Sequence, residues 1–96
     1  MRAIWEFKLN DSGDTQLNLR GCALCYMLGV GWSDGQLLGW AVVDTSRETS
    51  IRYTVLVRET WDSLDGGDEK ASFVGTAGSG EFARHVFLLT EGEKGG

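Results

Sequence analysis

Proline is absent from these 96 residues, histidine occurs once and cysteine twice. Without proline, the turns fall to the 14 glycines and to Asn, Asp and Ser, whose side chains bond their own backbone. The single histidine, His85, leaves Cys22 and Cys25 without the second ligand pair that a zinc site needs, so no metal or other cofactor is expected. Basic residues are scarce: nine Lys and Arg face 14 Asp and Glu, for a net charge of −5. That balance disfavours sequence-independent binding to DNA or RNA, because phosphate neutralisation dominates such affinity. No apolar run approaches the roughly 18 residues that span a bilayer, so no membrane partner is expected. The opening MRAIWEFKLN has neither the apolar stretch nor the cleavage site of a signal peptide. What the chain does have is a 42% hydrophobic fraction with four tryptophans, which excludes disorder. At this length only one modest core fits, burying about 64% of the unfolded surface.

Period-two alternation begins at once. Ala3, Trp5, Phe7 and Leu9 share one face while Glu6 and Lys8 take the other, which reads as a half-buried strand. Residues 10–14 are dense in turn formers, 15–19 resume the alternation with Leu17 and Leu19 inward, and the two stretches read as a hairpin. Residues 22–32 and 36–43 are apolar on both parities, as in strands covered on both faces, and Asp34-Gly35 between them is a strong hairpin signal. Gly29, Gly31, Gly39 and Gly75 inside strands point to bulges or to closely approached backbone. Residues 44–50 are a polar connection, and 51–60, dense in β-branched and aromatic residues, form the strongest strand. Residues 61–70 are the longest and most acidic loop, after which 71–77 and 81–90 flank Gly78-Ser79-Gly80 as a third hairpin. The expected fold is all-β, about seven antiparallel strands in a small sandwich or barrel with no substantial helix. Residues 1–90 read as a single β domain and 91–96 as a flexible C-terminal tail.

The strands at 22–32, 36–43 and 81–90 are apolar on both faces, yet no helix exists to cover a second face. Surplus apolar surface of this kind marks interfaces, so a homo-oligomer, dimer or higher, is expected. The alternative is a well-closed barrel with a merely apolar outside.

Candidate chemistry is sparse. Cys22 and Cys25 lie three apart in a strand, on opposite faces, so they read as two reduced thiols rather than a redox pair. No nucleophile or carboxylate motif accompanies His85, and no catalytic residue is expected. Asp62, Asp65, Asp68 and Glu69 lack the spacing of a calcium loop and read as a solvated loop or as a surface for a basic protein. The arginines say more. Arg52 and Arg58 share a face opposite Tyr53, Val55 and Val57, whereas Arg84 interrupts the apolar face of Val86 and Leu88 and needs a partner there. Arginine suits bidentate contact with phosphate, and a tryptophan offers a surface on which a base stacks. The candidate ligand-binding set is therefore Arg52, Arg58, Arg84, His85, Trp32, Trp40 and Trp61. The competing reading has the tryptophans building the core and the arginines pairing with surface Asp and Glu.

Ile4-Trp5-Glu6-Phe7, the run from Leu38 to Asp44, Phe73-Val74-Gly75-Thr76 and His85-Val86-Phe87 together resemble a family of short, uncharacterised β-rich proteins of phages and their bacterial hosts. Where that family carries a Gly-Thr-Gly-x-Pro stretch, this chain has Arg58-Glu59-Thr60-Trp61. The resemblance implies a phage accessory protein without catalysis, acting against host defences in the cytoplasm of the infected bacterium. On that basis the first expectation is an oligomeric anti-defence protein that sequesters a nucleotide-derived signalling molecule. The alternatives are an inhibitor that binds a host defence protein through an apolar face and the acidic loop, and a virion assembly module.

Overall fold

The computed structural model describes residues 1–48, 51–66 and 68–91. Seven strands build it: β1 (Arg2–Leu9), β2 (Asp14–Gln16), β3 (Ala23–Ser33), β4 (Gln36–Asp44), β5 (Arg52–Glu59), β6 (Ser72–Ala77) and β7 (Arg84–Glu91). Among the described residues the helical pieces are two single 3₁₀ turns, Asp68–Lys70 and Gly80–Phe82. Every pairing is antiparallel, and the strands form two sheets, in the orders β1-β4-β3 and β2-β5-β7-β6. The sheets are not closed into a barrel, so the architecture is the two-sheet one. The expected tail, 92–96, lies outside the described residues, as do 49–50 of the polar connection and 67 of the acidic loop.

One core joins the sheets. Leu9 and Leu37 from the three-stranded sheet meet Val55, Val57, Ala77 and Val86 from the four-stranded one, with Leu17 beside them. Leu19, Cys22 and Val43 form a second cluster with Trp5 and Leu24 packed on it. The alternation of β1 holds as read: Ala3, Trp5, Phe7 and Leu9 face in. β3 keeps Leu24, Met27, Val30 and Trp32 on the core side only because register shifts at Leu24/Tyr26 and Met27/Gly29 each absorb an extra residue. A third shift falls at Phe73/Gly75. Gly39 is small for a different reason: a methyl there would meet Leu9 Cδ1 at 3.2 Å.

Two expectations change. The stretches 2–9 and 14–16 are not a hairpin, because β1 pairs with β4 and β2 with β5, so the Asn10–Gly13 turn carries the chain from one sheet to the other. Turn formers specify a reversal without specifying the partner. The last strand starts at Arg84, not at 81, since Gly78 (φ +79°) and Gly80 (φ +59°) curl the chain into a 3₁₀ turn that takes Phe82 out of the sheet. The β3–β4 and β6–β7 hairpins form as read, with Asp34 (φ +50°) and Gly35 (φ +77°) both in the left-handed region that a tight hairpin turn requires.

Candidate functional site

Four connections meet at one end of the molecule: the turn after β1, the Asp34-Gly35 hairpin, the turn after β5 and the loop between β6 and β7. Two side chains tie them together. Trp32 Nε1 donates to Phe82 O at 3.0 Å, and Arg84 Nε donates to Asp11 O at 2.8 Å. The first ties β3 to the loop between β6 and β7, and the second ties β7 to the turn after β1.

The seven sequence-selected residues separate into groups. Trp32 and Arg84 meet: the guanidinium carbon lies 5.6 Å from the indole centroid, within cation–π range. Arg84 finds its partners in backbone carbonyls rather than a carboxylate, with Nη1 donating to Glu81 O at 3.1 Å and Ala83 O at 3.0 Å. These two residues line a depression of about 450 Å³ with Asp11, Gly35 and Phe82.

Arg58, His85 and Trp61 form the second group, on the outer face of the four-stranded sheet, where they line a groove of about 250 Å³ with Leu64 and Phe87. Arg58 is already engaged. Its Nε and Nη2 grip both oxygens of Asp68 at 2.9 and 2.8 Å, and Nη1 binds Asp14 at 2.7 Å. Asp68 is only 7% exposed, and the hydrogen bonds from Arg58 hold its carboxyl below the ordinary carboxylate value. The same two acids raise the Arg58 pKa. The acidic loop is therefore folded onto the sheet: Asp65 Oδ1 accepts from Asp68 N at 2.9 Å and sets the 3₁₀ turn that aims Asp68 at Arg58. His85 lies between two hydroxyls, Thr60 Oγ1 at 2.8 Å from Nε2 and Thr76 Oγ1 at 3.0 Å from Nδ1. Each hydroxyl serves as donor or acceptor, and neither supplies the carboxylate that orients a catalytic histidine.

Trp61 is the outlier. It is 96% exposed and adopts φ +80°, a conformation that suits glycine and strains a bulky side chain. A tight turn enforces it: Asp62 N donates to Glu59 O at 3.0 Å while Asp62 Oδ2 accepts from Glu59 N at 2.7 Å. The φ of Trp61 is that of the third residue of a type II turn, where glycine is usual. Trp61 also walls a larger depression, about 580 Å³, with Glu59, Thr60, Gly80, Glu81 and Ala83. Glu59 and Glu81 thus line this depression with Trp61, and Asp62 lines the adjoining groove with it. Of these three, Asp62 belongs to the acidic loop read from sequence as a solvated loop or a surface for a basic protein, whereas Glu59 and Glu81 were not selected.

Trp40 and Arg52 stand apart. Trp40 lies on the outer face of the three-stranded sheet, donates to Glu6 Oε1 at 3.1 Å and covers Gly31. In the same sheet Ile4 and Tyr26 pair with Val42 and Leu28 falls in the Met27/Gly29 register shift; they are 66%, 51% and 50% exposed. Arg52 is exposed at the far end of β5, opposite Glu91.

With the geometry in place, comparison with known proteins adds one finding. Residues 1–95 match a family model described as a domain of unknown function (DUF7352). No curated protein and no solved structure matches the chain.

Proposed function

The chain belongs to the DUF7352 family, whose description assigns no activity, and we propose from its own residues that it is a non-enzymatic docking protein for a basic segment of a partner protein. The observation that carries this is Trp61, held 96% exposed in a strained turn between two depressions lined by Glu59, Asp62 and Glu81. Strain of about 1–3 kcal/mol at an exposed tryptophan serves no packing purpose, and strained positions cluster at binding sites. Tryptophan anchors protein interfaces more often than other residues do. A lysine or arginine entering the 580 Å³ depression would meet the carboxylates of Glu59 and Glu81 and the indole face of Trp61. Arg58, in the adjoining groove, is neutralised by two carboxylates and does not oppose it; Arg84, bonded to the carbonyls of Glu81 and Ala83, is a second cation beside the depression, which the carboxylates of Glu59 and Glu81 offset.

This reading favours the direct-binding alternative over a site built on Arg58 for a nucleotide phosphate. In the phage setting that the sequence resemblance implies, the partner is a host defence protein. Self-association through the face carrying Ile4, Tyr26 and Leu28 completes the proposal. The test is affinity capture from host extract with wild-type protein, Trp61→Gly and Glu81→Lys. One protein retained by the wild type and lost from both variants is the expected result. Equal retention by both variants contradicts the proposal.

A further inference from the structure

We propose a second, independent site at the same end of the molecule: the Trp32–Arg84 depression takes a flat aromatic ligand bearing a single anionic group, of which a nucleoside monophosphate is the natural example. The argument starts from what Arg84 leaves open. Its Nε and Nη1 are held by the carbonyls of Asp11, Glu81 and Ala83, and among the described residues no acceptor meets Nη2. Among the described residues no carboxylate pairs with this guanidinium, in contrast to Arg58. Arg84 is therefore a fixed cation with the two diverging N–H groups of Nη2 left to offer, each able to donate to an anionic oxygen.

The rest of the depression is aromatic. The Trp32 indole is clamped by its bond to Phe82 O and by stacking on Arg84. Phe82, taken out of the sheet by the 3₁₀ turn, is 63% exposed on the other side. The clamp requires Gly78: at φ +79° it passes so close that a methyl group would sit 2.6 Å from Phe82 O and 2.7 Å from Trp32 Nε1. A volume of about 450 Å³ falls in the range of small-ligand sites. Indole and phenyl surfaces accept a base, and the open Nη2 of Arg84 donates to its phosphate.

Charge limits the ligand. Asp11 and Glu81 border the site and the molecule carries −5, so one local cation attracts a monophosphate but not a polyanion.

The test uses AMP, with adenosine, ribose 5-phosphate and ATP as comparisons, read by tryptophan fluorescence and thermal melting. AMP is expected to quench fluorescence and raise the melting temperature. Adenosine and ribose 5-phosphate, each lacking one recognition element, should bind roughly tenfold more weakly, and ATP more weakly than AMP. Phe82→Ala removes an exposed side chain and leaves the carbonyl that holds Trp32, so it folds; it should weaken AMP about tenfold. Arg84→Lys keeps the charge but not a donor fixed in place by three carbonyls, and should do the same. Trp61→Gly should leave AMP binding unchanged, which separates this site from the docking site. No response to AMP at millimolar concentration overturns the proposal, as does AMP binding that Phe82→Ala leaves intact or that Trp61→Gly abolishes.

Discussion

At the scale of single residues, Trp61 offers the sharpest prediction. Relief of its left-handed φ is worth about 1–3 kcal/mol, against about 0.5–1 kcal/mol for glycine's greater freedom in the unfolded chain. Because Trp61 buries almost nothing, Trp61→Gly should stabilise the protein by about 1 kcal/mol, a rise in melting temperature of roughly 4–8 °C. Trp61→Ala keeps the strain and should leave the melting temperature near that of the wild type. A residue that costs stability where it stands, and whose loss costs binding, is the signature of a functional position. Asp44 and Asp68 govern the response to acid. Hydrogen bonds from the hydroxyl and backbone N–H of Ser46 lower the Asp44 pKa from 3.8 to about 2, and Arg58 lowers that of Asp68. Depressed carboxylates stabilise the fold above their unfolded pKa and lose that contribution as pH falls through the folded value. Urea unfolding followed by circular dichroism should therefore show stability declining from about pH 4 toward pH 2, with a flatter decline in Asp44→Asn and Asp68→Asn.

Among the elements, the β6–β7 connection determines whether the site exists. Gly78→Ala combines a disfavoured φ with contacts under 3.0 Å to Phe82 O and Trp32 Nε1. It should destabilise the protein by on the order of 2–4 kcal/mol in denaturant titration, and the loosened Trp32 should show altered fluorescence. Elements also show what the sequence makes legible. The inward set of β1 and the Asp34-Gly35 turn could be read directly, because period two and paired positive φ are local properties. Arg52 and Arg58 were placed on one face by the same parity, as the register of β5 shows. The fate of β1 could not be read, since a turn at 10–13 serves equally a hairpin and a passage between sheets. Asp68 on Arg58 was hidden too: it depends on the loop crossing the sheet and on the 3₁₀ turn at Asp68, neither of which has a periodic signature. Trp61 entered the candidate set as a stacking surface, but its exposure follows from the Glu59–Asp62 turn.

For the whole molecule, the distribution of charge and apolar surface decides how it meets other molecules. One end presents Trp61 among carboxylates, and the opposite sheet presents Ile4, Tyr26 and Leu28. Light scattering at micromolar concentration should give a multiple of the 10.5 kDa chain mass, and Ile4→Lys with Leu28→Lys should return the monomer. A monomeric wild type contradicts self-association while leaving the docking end untouched. That end is tested most directly by nuclear magnetic resonance. The four tryptophans give four indole N–H signals, and the one missing from Trp61→Gly identifies Trp61. During titration with a short Arg/Lys peptide, that signal should shift saturably while the Trp32 signal stays in place, and Glu81→Lys should abolish the shift. A Trp61 signal that stays fixed at millimolar peptide, or one that moves equally in Glu81→Lys, would contradict docking of a basic segment at this site.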